Sequence, residues 1–395
     1  MELRLTNDVL IAGAGMAGLA TGVACRRAGW QARVHERTDA LREVGAGIQL
    51  GSNATRILIG WGLGPALLDA GAQPQHLHVR DGISGAEVGA LQLGASFAQR
   101  YGAPYVTIHR ADLQAVLLEG AQRAGVDVRL SSRVNSVDPR IDGVRVRAGE
   151  ATDEGDVLVG ADGVWSEVRG LVCAPSAPRI TGHLAYRTLA VQRDLPAGLR
   201  SADVTVWLGP RMHVVAYPVK GGELLNVVAI VQGASTASPQ EWDQAGAESE
   251  LMTAIGPVCR PLQELVRAMP SWRLWVLQDR PPVASARELA SGRIALVGDA
   301  AHPMRPYLAQ GAGMAIEDAA ELGRCLAAVK DRPAEVPGAL QAYAQNRWVR
   351  CAQVQSRAER NGRIFHATGI MRWGRDVSLR LLGERLLDQP WLYGR

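Results

Sequence analysis

Val9-Leu10-Ile11-Ala12-Gly13-Ala14-Gly15-Met16-Ala17-Gly18 reads as a short apolar strand, a glycine turn and the opening of a helix. Glycines spaced Gly-x-Gly-x-x-Gly are weak evidence alone, but between a strand and a helix each has a physical reason. Gly13 permits the tight turn, Gly15 lets the backbone approach a pyrophosphate, and Gly18 lets helix and strand pack closely. The helix start, with Ala17 in its first turn, turns unbonded N–H groups and a positive dipole end toward phosphates. Ala17 to Ala28 reads as that helix, Gly29 as its stop and Ala32 to His35 as a second strand. Glu36 closes the strand, where an acid is expected about 20 positions after the glycines. Its carboxylate offers two acceptors to a ribose diol, and Arg37 beside it is expected at the adenosine end. This βαβ unit starts a parallel sheet and implies a dinucleotide site without saying which dinucleotide.

Working outward, Val126–Leu130, Val134–Val137, Val144–Val146 and Val157–Val159 read as further strands. The middle of the chain then alternates at period two, in Val204–Trp207, Val214–Tyr217 and Leu225–Ile230, as a more open antiparallel sheet does. Ile294–Val297 returns to the buried-strand pattern. Leu340, Tyr343, Ala344, Trp348, Cys351, Val354 and Ala358 mark a packing helix. The expected class is α/β: a Rossmann-type nucleotide domain with an inserted, mainly antiparallel β-sheet substrate domain and a C-terminal helical segment. The expected boundaries are 1–75, 106–178 and 285–335 for the first, 76–105 and 179–284 for the second, and 336–395 for the third. A chain of 395 residues suits more than one domain at roughly 150 residues each.

Composition narrows the function classes. Hydrophobic residues make up 47% and charged residues 21%, ordinary for a soluble enzyme with a large core. The net charge of +4 is scattered and not gathered into Lys/Arg runs, so no nucleic-acid partner is expected. Cys25, Cys173, Cys259, Cys325 and Cys351 lie far apart, without metal or redox spacing. No metal is expected, and a reducing, cytoplasmic compartment fits. The N-terminus lacks a signal-peptide pattern, and no apolar run is long enough to span a membrane.

Two later segments bear on the dinucleotide. Val159-Gly-Ala-Asp162-Gly163-Val-Trp-Ser166-Glu-Val-Arg169 runs an apolar strand into Asp-Gly. Ile294-Ala-Leu-Val-Gly298-Asp299-Ala-Ala-His302-Pro303 does the same with Gly-Asp, then reaches Gln310-Gly311-Ala312-Gly313 and a helix read as Met314–Ala328. Either alone could be a strand and a capped turn. Together with the first motif they resemble the flavoprotein aromatic hydroxylases of the para-hydroxybenzoate hydroxylase class, over nearly the whole chain. The resemblance implies non-covalent FAD, NADH or NADPH as co-substrate, and O2, with oxygen transferred through a C4a-hydroperoxyflavin. It places Glu36 on the adenosine ribose, Arg110 at the pyrophosphate and ribityl region, and Asp299 on the ribityl chain. Asp162 and Arg169 fall where FAD and the nicotinamide nucleotide approach. Gly311, Ala312 and Gly313 open a helix whose N–H groups would face the flavin pyrimidine and favour the anionic reduced ring.

Within the class, Val44–Gly51, Tyr101–Arg110, His302–Gly311 and Pro390–Gly394 are most similar to the 6-hydroxynicotinate 3-monooxygenases, with the salicylate and 3-hydroxybenzoate hydroxylases near behind. The implied partner is a small hydroxylated aromatic or pyridine carboxylate, with CO2 lost if oxygen enters at the carbon bearing the acid. Two positions depart from these branches. Gln49 stands where the hydroxynicotinate enzymes carry a catalytic histidine; it cannot act as a base but can bond flavin or substrate. Pro306 stands near the ring where the 3-hydroxybenzoate enzymes carry glutamine. His213 and Tyr217, four apart on one strand, share a face, and matching residues in relatives meet the substrate hydroxyl. His213 is expected as base or relay, Tyr217 as a positioning group, and Arg187 opposite a carboxylate. A monomer or homodimer is expected. Two other readings share the nucleotide site: a flavin reductase or dehydrogenase without oxygenation, and a non-catalytic sensor of flavin or aromatic ligands.

Overall fold

Asp8–Ala12 sits inside a six-stranded sheet ordered Ala290–Ser291, Ile294–Leu296, Val157–Gly160, Asp8–Ala12, Gln31–His35, Asp127–Arg129. This is a computed structural model that describes residues 7–41, 46–174, 176–234 and 244–394; Val44 and Gly45 of the stretch Val44–Gly51 lie outside the described residues. The pairings are parallel except at the edge, where Ala290–Ser291 runs antiparallel. Val9, Leu10 and Ile11 are wholly buried, as a parallel strand covered on both faces requires. The helices Met16–Arg27 and Gly311–Ala327 pack against one another. A Cβ on Gly323 would stand 2.9 Å from both Cβ and O of Ala24, so the close approach needs glycine.

A second sheet has eight strands, ordered Gln244–Gly246, Trp272–Asp279, Arg179–Val191, Leu224–Gln232, Met212–Val219, Val204–Gly209, His76–Asp81, Glu87–Gln92. Val204–Gly209 and His76–Asp81 pair in parallel and the other neighbours antiparallel. Period two sorts its side chains. Met212, Val214, Ala216, Val227 and Ala229 pack on one face with Leu251, Leu262 and Val266 of the helices Glu248–Ile255 and Arg260–Arg267. His213, Val215 and Tyr217 therefore project from the other face.

The structure redraws two expected elements. Val134–Pro139 and Val144–Ala148 leave the parallel sheet and join Ala151–Gly155 in a small antiparallel meander, packing Val144 and Val146 into the main core. Ala-Thr-Asp-Glu-Gly carries little strand propensity and lies at an edge, which is why it was not read as a strand. The helix expected from Met314 begins three residues earlier, at Gly311. The C-terminal stripe forms a 30-residue helix, Val336–Phe365. It buries Leu340, Tyr343, Ala344, Cys351, Val354 and Ala358 but only part of Trp348. The Tyr343 hydroxyl donates to the Leu296 carbonyl at 2.7 Å and ties this helix to the first sheet. No helix among the described residues is long and apolar enough to cross a membrane.

Candidate active site

The first motif builds an open cradle. Gly13 adopts φ +101°, and a Cβ there would meet the Ala161 carbonyl oxygen at 2.6 Å. A Cβ on Gly18 would meet the Gly13 carbonyl oxygen at 1.8 Å, whereas one on Gly15 would meet nothing within 4 Å. Gly15 thus faces space left for a ligand. That space is a cleft of about 520 Å³ bordered by Gly13, Gly15, Glu36, Arg37, Val134 and Asp162. Glu36 accepts the Ala14 N–H at 2.8 Å through one oxygen and the Thr38 N–H and hydroxyl at 3.0 Å through the other. Its carboxylate is thereby held at the cleft wall. Gln114 also borders the cleft and donates to the Ala14 carbonyl at 3.2 Å, a residue the sequence motifs did not single out.

The other motifs converge on this cradle. Gly298, at φ +57°, lies so near Ala17 and Ala315 that a Cβ would be 2.9 and 3.2 Å from theirs. Asp299 is accessible to solvent yet walled by protein, and burial holds its carboxyl above the usual range against the charges of His302 and Arg110. Arg110 starts the helix Arg110–Arg123, its N–H bonded to the Ala46 carbonyl at 2.9 Å. Gly311 leaves open space beside it at the start of a second helix. Two helix N-termini, an open glycine and a ribose acceptor fit an FAD.

Asp162 stands at the cleft where it was expected, whereas Arg169 is not among the residues that border it. Asp162 borders the cleft, but its oxygens accept the Ser166 hydroxyl at 2.5 Å and the Glu167 and Val168 N–H groups at 2.8 and 3.2 Å. Arg169 is buried and turned inward, donating to the Ala300 and Ala301 carbonyls at 3.2 and 2.6 Å. Arg169 braces the loop after Asp299. Asp318 braces the same loop: it accepts the Gly298 N–H at 2.9 Å, bonds His302 at 2.5 Å and pairs with Arg347 at 2.8 Å, all buried.

A second cavity, about 490 Å³, lies on the inner face of the large sheet. Gln49, Leu77, Val206, His213, Pro306 and Tyr307 line it. His213 Nδ1 stands 2.9 Å from His366 Nε2, with Tyr307 and Phe365 packed around the His213 ring at 5.1 and 5.4 Å. Burial, with a smaller push from His183, drives the His213 imidazole down to about 3. Burial also lowers His366 to about 2, aided by His213, His183 and Arg375. Both are therefore neutral at physiological pH. Tyr217 is buried two steps along the strand face, past Val215; burial raises its phenol, and it bonds Gln49. Gln49 Oε1 also accepts the Tyr105 hydroxyl at 2.7 Å. His213 and Tyr217 thus share a face and Gln49 joins the group.

Arg187 does not line the cavity. It lies buried two strands away, its guanidinium 5.3 Å from the Trp275 ring. The arginines that do line the cavity are Arg357, Arg360 and Arg375 from the C-terminal helices. These, like His366, sit on helices whose chemistry no local motif signals.

Residues 6–358 match the family described as an FAD binding domain. The chain is 36% identical to 3-hydroxybenzoate 6-hydroxylase of Polaromonas naphthalenivorans (strain CJ2), covering 98% of this chain and 95% of that protein. It is 34% identical to 6-hydroxynicotinate 3-monooxygenase of Bordetella bronchiseptica (strain ATCC BAA-588 / NCTC 13252 / RB50), covering 88% and 89%. Its fold is similar to that of a Klebsiella pneumoniae protein crystallised with FAD and uric acid, with a TM-score of 0.84 at 24% identity over 96% and 94% of the two chains. A family match over most of the chain, with relatives above one-third identical along nearly their whole length, settles what the glycine cradle began: the chain belongs to the FAD-dependent aromatic monooxygenases.

Proposed function

We propose that this monooxygenase hydroxylates a small aromatic or pyridine ring bearing both a hydroxyl group and a carboxylate. The observation that carries this reading is His213, a neutral imidazole at the wall of an apolar cavity that also presents Gln49 and three arginines. The named relatives act on rings of this kind. Bound FAD, reduced by NAD(P)H, would activate O2, which supplies the oxygen atom.

The protein's own tasks follow from the cavity. Leu77, Val79, Val206 and Leu208 exclude water from the ring. Arg357 and Arg360 favour a carboxylate at the C-terminal wall, while Arg375 is held by Asp376 and the Ile364 and Phe365 carbonyls. His213 has its Nδ1 engaged by His366, which leaves Nε2 to accept the ring hydroxyl. Because burial holds both imidazoles neutral, His213 Nε2 accepts the hydrogen bond of the ring hydroxyl while His366 fixes the tautomer that leaves that nitrogen free to do so. Gln49, held between Tyr105 and Tyr217, fixes the polar end of the cavity beside Pro306. In the nucleotide cleft, Glu36 and Arg37 receive the adenosine ribose end. Arg110 and Asp299 receive the pyrophosphate and ribityl chain, and Gly311 to Gly313 the flavin ring.

The test is a panel of ring compounds added to the FAD-loaded protein. Hydroxylated aromatic and pyridine acids should perturb the flavin spectrum and accelerate NAD(P)H oxidation, and the same rings without the carboxylate should not. No acceleration by any acid would overturn the proposal.

The same reading takes residues 1–75, 106–178 and 285–335 as the FAD-binding unit, 76–105 and 179–284 as the substrate unit, and 336–395 as the helical segment that closes the cavity. It takes the protein as cytoplasmic, supported by five free cysteines, and as a monomer or homodimer.

A further inference from the structure

The strand His76–Asp81 has two working faces. Leu77 and Val79 line the aromatic cavity, so alternation sends His76 and His78 to the opposite face. Parallel pairing sets Leu77 beside Val204, which brings Asp203 next to both histidines. We propose that His76 Nδ1, His78 Nε2 and Asp203 Oδ2 form a binding site for one divalent late transition-metal ion, of which zinc is the type. No metal was expected from the cysteine spacing, and it is the sheet that brings Asp203 to His76 and His78.

The geometry is that of three donors waiting for an ion. Asp203 Oδ2 lies 3.4 Å from His76 Nδ1 and 3.7 Å from His78 Nε2. The three atoms all fall within 4.8 Å of one another. Zinc takes nitrogen and oxygen donors at about 2.0–2.2 Å in a tetrahedron, which sets those donors roughly 3.3–3.5 Å apart. Only small side-chain movements separate the present arrangement from that one.

Two of the three side chains have their other polar atom engaged. His78 Nδ1 lies 2.9 Å from Glu87 Oε2, which fixes the tautomer that leaves Nε2 free for a metal. Asp203 Oδ1 accepts the backbone N–H groups of Gln75 and His76, each at 2.9 Å, which aims Oδ2 at the histidines. A carboxylate behind a ligating histidine is the usual support of a metal site. The side chains of His76, His78 and Asp203 are 42%, 27% and 27% exposed, so a water can complete the tetrahedron. Two imidazoles and one carboxylate suit zinc, copper or nickel, and not magnesium or calcium, which take oxygen donors. The buried group His302, Asp318 and Cys351 is a different case, since Arg347 already neutralises Asp318.

An ion here would pin the strand that walls the cavity to the segment before Val204. The test is titration of the FAD-loaded protein with zinc chloride, followed by calorimetry and by the thermal midpoint. The wild type should bind one zinc per chain more than the His76→Ala/His78→Ala double variant, and should gain more in midpoint. Glu87→Gln should weaken that zinc about 10–100-fold, the usual loss when a ligating histidine loses its carboxylate. Excess magnesium or calcium should not displace it. The double variant keeps the buried histidines of the cavity, so zinc bound there cancels in the comparison, and its FAD content reports its fold. Equal zinc binding by wild type and double variant, an unchanged affinity in Glu87→Gln, or displacement by magnesium would each overturn the proposal and leave an ordinary surface ion-pair cluster.

Discussion

His213 and His366, 153 residues apart in sequence, meet as two buried imidazoles with 2.9 Å between Nδ1 and Nε2. One hydrogen bond joins them, so the protonation of one nitrogen sets that of the other. His366 Nδ1 is buried without a hydrogen-bond partner, which makes His366 dependent on His213 for its orientation. His213→Ala should keep its FAD, lose about 10²–10⁴-fold in product formation, and divert consumed NADH to hydrogen peroxide. His366→Phe should also keep FAD and lose coupling, and His366→Gln, which can still bond Nδ1, should recover part of it. The ratio of hydroxylated product to NADH oxidised checks both. Full coupling in His213→Ala would leave His213 a core residue.

The glycines of the first motif separate folding from binding. A Cβ on Gly18 collides with the Gly13 carbonyl oxygen at 1.8 Å, while one on Gly15 touches nothing within 4 Å. Gly18→Ala should lower the thermal midpoint of FAD-free protein, because the helix cannot settle on the strand. Gly15→Ala should leave that midpoint nearly unchanged and weaken FAD binding. Apoprotein melting and FAD titration together decide it; equal midpoints in the two variants would contradict the account.

Asp299→Ala should release FAD more readily than Glu36→Gln. Asp299 meets the ligand where protein walls it in, and a charge-assisted bond there is worth about 1.5–3 kcal/mol. Glu36→Gln keeps one acceptor. Equal FAD dissociation constants would show that Asp299 does not contact the ribityl chain.

Acid should loosen the fold through the histidine cluster. Burial lowers His213 from the usual 6.5 to about 3 and His366 to about 2, and lowers His183 as well, with Arg305 adding to the effect there. A histidine depressed in the folded state contributes stability above about pH 6.5. That contribution is lost as pH falls toward the folded value, because the unfolded chain takes up protons first. The thermal midpoint should therefore fall from pH 7 to pH 4, and less steeply in His366→Phe. His35, lowered by burial, adds in the same sense. Cys351 and Asp318 hold His302 up against burial, so it works oppositely. Both are common to the two proteins. Identical slopes would contradict the assignment.

What the sequence disclosed, and what it withheld, follows from the range of the interactions. The strand, glycines and Glu36 were legible because a phosphate-binding turn is local and its glycines have steric reasons within a few residues. The sharing of one face by His213 and Tyr217 followed from period two. Arg179–Val191, a 13-residue strand, was not delimited, because Gly182, His183 and Arg187 break its apolar alternation. The partners of Arg169, the Ala300 and Ala301 carbonyls, lie 131 and 132 residues away, so its local sequence does not show that it braces their loop. His366 carried no signal at all: a histidine at the end of a helix becomes part of the site only when that helix crosses the sheet at Met212–Val219. The cavity arginines share that reason.

The most direct measurement supplies the FAD-loaded protein with NADH or NADPH, isotope-labelled dioxygen and a panel of hydroxylated aromatic and pyridine carboxylates, and weighs the products. The account predicts, for at least one acid, a product carrying one labelled oxygen atom, formed in near-equal amount to the nicotinamide nucleotide oxidised. Nucleotide oxidation that yields only hydrogen peroxide with every acid would contradict it.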